Sequence, residues 1–107
     1  RPILSLGAAG GPTIISQTVL AIINTIDFDM DPATALAQPR FHHQWKPDEL
    51  VVEKRIGEDV LGELAKRGHK LKRVDALGAA QAVGVGLKGQ GFVGAHDPRV
   101  EGKAAGW

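Results

Sequence analysis

The chain has 107 residues, 43% of them hydrophobic and 23% charged, which excludes a disordered segment and suits one small folded unit. Thirteen Lys and Arg are interspersed with twelve Asp and Glu for a net charge of +1, so the concentrated positive charge that nucleic acid or anionic lipid requires is missing. The absence of cysteine excludes a disulfide framework, a thiol nucleophile and thiolate metal sites.

The chain opens at Arg1 without an initiator Met and reads at once as a strand, so a piece of a longer protein is expected. Pro2 to Leu6 is a short apolar run, and the cluster Gly7-Ala8-Ala9-Gly10-Gly11-Pro12 then predicts a tight, flexible turn. Pro12 suits a first helical turn, where its missing N–H costs nothing. Ile14, Ile15, Val19, Ile22, Ile23 and Ile26 recur at helical spacing and predict a helix from Thr13 to about Phe28. Its apolar stretch is interrupted by Ser16, Gln17, Thr18, Asn24 and Thr25 and is too short and polar to span a bilayer.

Asp31-Pro32 repeats the helix start signal, and Pro39 closes a short helix through Ala33, Ala35, Leu36 and Ala37. Phe41–Trp45 and Leu50–Lys54 read as a hairpin around Lys46-Pro47-Asp48-Glu49. Glu58–Arg67 is a helix with acids at its start, bases at its end and Gly68 beyond, with Val60, Leu61 and Leu64 facing a core. Strands follow at Lys70–Val74, Ala79–Leu87 and Gly91–His96, the last two joined by a hairpin connection at Lys88-Gly89-Gln90. No repeat or linker divides the chain, and the expected fold class is α+β, one unit over residues 1–107.

Four places invite a chemical reading. Gly84-Val85-Gly86-Leu87-Lys88-Gly89 matches the Gly-x-Gly-x-x-Gly phosphate fingerprint, but a strand follows it instead of the helix whose N-terminus would meet a pyrophosphate. A glycine-rich hairpin is therefore expected there. His42 and His43 are adjacent on a strand and point to opposite faces, which predicts one packed and one surface histidine and no shared metal. Asp48, Glu49 and Glu53 offer carboxylates, with nothing in their spacing to fix an acid–base pair against a solvated turn. Gly10-Gly11 lies between a strand and a helix N-terminus, where backbone amides can meet an oxyanion, or where glycines simply permit a tight turn.

Gly10-Gly11-Pro12-Thr13-Ile14-Ile15, Asp31-Pro32-Ala33 and the long string Ala37-Gln38-Pro39-Arg40-Phe41-His42-His43-Gln44-Trp45-Lys46-Pro47-Asp48-Glu49-Leu50 resemble the C-terminal part of the γ-glutamyltranspeptidase small subunit. Gly78-Ala79-Ala80-Gln81-Ala82 and Gly94-Ala95-His96-Asp97-Pro98-Arg99 follow in the order of that family. The resemblance implies part of an αββα N-terminal-nucleophile hydrolase sandwich. It implies an enzyme whose exposed threonine attacks a γ-glutamyl amide such as glutathione and passes the acyl group to water, an amino acid or a peptide. Gly10 and Gly11 match the family's consecutive glycines, whose backbone amides form the oxyanion hole.

None of Thr13, Thr18, Thr25 and Thr34 carries a free amine to act as its base, so the nucleophile is expected outside this chain, which alone should be inactive. The implied partners are the remainder of the small subunit, the large subunit of the same precursor and a small γ-glutamyl substrate, with no cofactor, no metal and no nucleic acid. A periplasmic or secreted location is the family expectation. Ala8-Ala9 replaces the family's usual Ser-Pro, His96 a serine and Trp107 a tyrosine, departures that suit a divergent bacterial hydrolase or acylase. The alternative is a non-catalytic structural module that associates through its apolar helix.

Overall fold

The computed structural model describes residues 1–86 and 91–106, which mix three helices with six strands in two small sheets. The α+β class expected from the sequence is the class observed. Where the sequence reading gave one unit, the chain sorts into two compact units, residues 1–38 with 78–107, and residues 39–77.

The first unit is built on an antiparallel sheet in the order β1 (Leu4–Ala9), β5 (Ala79–Val85), β6 (Phe92–His96). Leu4 lies opposite Gly84 and Ala9 opposite Ala79, while Gln81 lies opposite His96. β1 therefore runs three residues beyond the expected strand end at Leu6. The reason is long-range, because Gly7, Ala8 and Ala9 are paired with Gln81, Ala80 and Ala79, and only Gly10 to Pro12 remain as the turn.

α1 (Thr13–Ile26) and α2 (Pro32–Ala37) accompany that sheet, around a core of Ala21, Leu36, Ala80, Ala82 and Ala95 flanked by Leu4, Leu6 and Ala8. α2 begins as its cap signal predicts, with the Asp31 carboxylate accepting from the Thr34 amide at 2.8 Å. α1 starts at the expected Thr13 and ends at Ile26, two residues short of Phe28, and the isoleucines whose spacing marks it as a helix are not its buried residues. Its buried residues are Gln17 and Ala21, whereas Ile15 is 72% and Ile26 is 55% exposed. The strands beneath it carry alanine and glycine, so small helix residues give the closer fit and the isoleucines turn outward.

Asp97 and Arg99 tie this unit together. Fully buried Asp97 accepts from the amides of Ala80 and Arg99 and from the Arg99 guanidinium at 3.0 Å. The guanidinium also donates to the carbonyls of Leu36 and Gln38, both at 2.8 Å, and so fastens the end of α2.

In the second unit β2 (Phe41–His42) is antiparallel to β3 (Leu50–Glu53), as the hairpin reading requires, and β3 is parallel to β4 (Leu71–Val74) with α3 (Glu58–Lys66) as the crossover. β2 stops short of Trp45 because the chain turns there, with Trp45 at φ 72° and its amide donating to His43 Nδ1. Leu61 is fully buried with Leu50 and Val52, and Leu64 packs beside them. Val60, expected in this core, is instead 49% exposed, since it lies one residue (about 100°) around the helix from Leu61.

Candidate functional site

The strand–glycine–helix junction of the first unit places Gly10 and Gly11 between Ala9, the last residue of β1, and α1. Gly10 has φ 143° and Gly11 φ 59°, conformations open to glycine and strained for other residues. The Gly10 carbonyl accepts from the Thr13 amide at 3.2 Å and the Thr13 hydroxyl at 2.8 Å, and the Gly11 carbonyl accepts from the Ile14 amide at 3.1 Å. The carbonyls are thus committed to the first turn of α1. The amides of Gly10 and Gly11 have no acceptor among the described residues, and both residues are exposed.

Gln17 stands behind this turn. It is 2% exposed, and its Nε2 donates to the Ala9 carbonyl at 2.9 Å and to Thr13 Oγ1 at 3.0 Å. A carbonyl oxygen on one side fixes the amide's nitrogen there, so the orientation of the side chain follows from its partners. The space Gln17 fills is kept open by glycines, because a Cβ on Gly78 would fall on its amide group and a Cβ on Gly10 would come within 2.9 Å of Nε2. The sequence reading passed over Gln17 as an interruption of an apolar run. Its available signal was a long amide side chain four residues after Thr13, one turn along the helix.

The other candidates separate from this junction. His42 is buried with Nε2 2.8 Å from the Gln44 amide oxygen, while exposed His43 lies 3.2 Å from Asp48, so the expected split into a packed and a surface histidine holds. Glu53 is fully buried and accepts from the Arg40 amide at 2.7 Å and the Leu77 amide at 2.8 Å. It serves as a structural acceptor, and Arg40 returns a bond from Nη1 to the Leu77 carbonyl at 2.9 Å. Glu49 is 3.9 Å from Lys72 and exposed Asp48 is 3.2 Å from His43, so among the described residues the three carboxylates are not paired with one another.

Of the glycine fingerprint, Gly84 lies in β5 where a Cβ would press on Pro32, and the Gly86 amide donates to the Gly91 carbonyl across an antiparallel pair. The rest of that motif, residues 87–89, and the hairpin connection read at 88–90 lie outside the described residues. Among the described residues no three His, Asp or Glu side chains converge as a metal site, and no helix is long and apolar enough to cross a membrane. A cavity of about 440 Å³ opens at the other end of β1, between Ile3, Ile26, Met30, Pro32, Gly84 and Val85. Thr25, Asp29 and Asp31 also line it, and it is separate from the glycine pair.

Comparison with known proteins places this geometry in a family. The model for γ-glutamyltranspeptidase matches residues 1–107. The chain is 43% identical over 96 residues to a glutathione hydrolase proenzyme of Escherichia coli, an alignment that covers 90% of this chain and 16% of that protein. Among solved structures, an acivicin-inhibited γ-glutamyltranspeptidase superposes with a TM-score of 0.85 at 39% identity, covering 92% of this chain and 54% of the other. A cephalosporin acylase from Bacillus halodurans superposes with a TM-score of 0.89 at 29% identity, covering all of this chain and 20% of that one. The chain thus spans a small part of the curated relative and about half of the solved transpeptidase chain, and with its full length matched it belongs to the γ-glutamyltranspeptidase family.

Proposed function

We propose that these residues form the oxyanion wall of a γ-glutamyl hydrolase or transferase. The observation that carries the reading is the pair of consecutive, exposed amides at Gly10 and Gly11, held on a turn whose carbonyls are already bonded. A hydroxyl nucleophile attacking the carbonyl carbon of a γ-glutamyl amide drives the carbonyl electrons onto oxygen. Two fixed N–H donors meet that charge without reorganising, which lowers the barrier. Collapse of the intermediate expels the amine, which takes up a proton. The acyl-enzyme then yields to water or to a second amine, through the same oxyanion.

The nucleophile in this reading is a threonine outside the 107 residues. Each threonine here donates its hydroxyl to a local acceptor, Thr13 to Gly10, Thr18 to Ile14, Thr25 to Ala21 and Thr34 to Asp31. Thr13, Thr18 and Thr25 are bonded to backbone carbonyls, and the carboxylate that Thr34 meets, Asp31, is a helix cap whose lowered pKa makes it a weak base. The exposed isoleucines of α1 also favour burial against further protein, and the relatives are proenzymes several times longer than this chain. We assign that role to the remainder of the precursor, and the isolated chain is expected to be inert.

The test is hydrolysis of a chromogenic γ-glutamyl anilide by the complete protein and two substitutions. Gly11→Ala keeps the N–H and meets no neighbour, at the cost of about 1–2 kcal/mol of backbone strain, and should retain most of the turnover. Gly11→Pro removes the donor and, because proline holds φ at about −65° against the 59° of Gly11, also disturbs the turn, so kcat should fall by about 100-fold or more. Wild-type turnover by a folded Gly11→Pro protein would sink the reading.

A further inference from the structure

We infer that Gln17 is a positioning residue which, through Thr13, aims both candidate oxyanion amides. The inference rests on the oxyanion reading of Gly10 and Gly11. Its basis is the covalent geometry of the peptide group: in a planar trans peptide the C=O and the following N–H point in opposite directions, so fixing one aims the other. The N–H of Gly10 belongs to the same peptide plane as the carbonyl of Ala9, and the N–H of Gly11 to the same plane as the carbonyl of Gly10.

Those two carbonyls are the ones Gln17 reaches. One hydrogen of Nε2 goes directly to the Ala9 carbonyl at 2.9 Å. The other goes to Thr13 Oγ1 at 3.0 Å, and that hydroxyl donates onward to the Gly10 carbonyl at 2.8 Å. A single buried amide, with both of its donors used, therefore sets the planes of two successive peptides. Bonds in such a chain polarise one another, and a peptide whose oxygen accepts a bond becomes a better donor at its nitrogen.

The packing around Gln17 supports an aiming role over simple filling of space. A side chain that only filled the gap under α1 would be apolar, and a polar one buried to 2% exposure is costly unless bonded. Two glycines, Gly10 and Gly78, leave the room its amide occupies. Thr18, one residue on in the same helix, bonds only back to Ile14 within α1 and has no reach to the junction. It is the natural control.

The experiment measures kcat and KM of the complete protein for the γ-glutamyl anilide in Gln17→Leu, Thr13→Val, their double variant, Gln17→Glu and Thr18→Ala. Gln17→Leu should lose about 10–100-fold in kcat with KM within about twofold, because the lost interaction acts only as charge develops. Thr13→Val should lose about tenfold, and the double variant should fall no further than Gln17→Leu, since both act along one relay. In Gln17→Glu the carboxylate cannot donate, so kcat relative to wild type should climb as the pH falls and the carboxyl regains a proton. Thr18→Ala should match wild type.

Unchanged kcat in Gln17→Leu and Thr13→Val, with Gly11→Pro inactive, would overturn the positioning role and leave the oxyanion reading standing. Wild-type turnover by folded Gly11→Pro would remove the oxyanion reading and this inference with it. A change confined to KM would also overturn it. Should Gln17→Leu fail to fold, Thr13→Val decides, because it alters one hydroxyl on a half-exposed residue and keeps the shape.

Discussion

At the scale of single residues, side chains that look unremarkable in the sequence hold the backbone in place. Asp31 is the clearest case with a measurable charge. The Thr34 amide, and then the Thr34 hydroxyl, hold its carboxyl below the ordinary value of 3.8. A carboxylate with a lowered pKa in the folded state contributes stability that is complete above that ordinary value and is lost as the pH falls through the folded one. Asp31→Ala should therefore cost about 1 kcal/mol at neutral pH, and thermal unfolding of the two proteins should converge as the medium is acidified below that range. A gap that stays constant with acidification would show that the cap is not ionic. Asp31 was legible in the sequence because a cap and its partner lie three residues apart. Gln17 was not, because its value depends on glycines at positions 10 and 78, and no local pattern joins those two.

At the scale of elements, the starts and ends governed by local chemistry were the readable ones. Gly68, at φ 96°, closes α3 as its position after Lys66 and Arg67 implied, with the His69 amide bonding back to the Leu64 carbonyl. The end of β1 was misread since its partner strand lies some seventy residues on in the sequence, and glycine with alanine reads locally as turn. The faces of helices proved hardest. Both Val60 and Leu61 are apolar, yet only Leu61 enters the core beside Leu50 and Val52. Leu61→Ala should cost about 2–5 kcal/mol and Val60→Ala under about 1 kcal/mol, measured by denaturant unfolding. Equal costs would mean that α3 is rotated from the orientation described.

At the scale of the whole molecule, the outward isoleucines of α1 set the behaviour of the chain by itself. Ile15, Ile22, Ile26 and Phe28 are each at least 44% exposed, a density of apolar surface that water-exposed helices avoid. The isolated 107-residue polypeptide should self-associate, and Ile15→Lys with Ile22→Lys should return it to a monomer in sedimentation velocity. A monomeric wild-type chain at the same concentration would refute this. The family could be read from the Pro39–Leu50 string, but the geometry of the junction could not, since it arises where residues 9–17 and 78–80 meet in space.

Where β1 meets β5, the register sets Ala8 against Ala80 and Ala9 against Ala79, and the helix above contributes Ala21. Beside the glycine pair, these alanines present only methyl groups to a bound molecule. If the oxyanion reading holds, this part of the enzyme is blind to the identity of the acyl group. A directed-evolution library restricted to the buried positions 80 and 82 should then yield variants that differ in yield and thermal tolerance but share one order of preference among substrates. Changes in that preference should arise from mutations elsewhere.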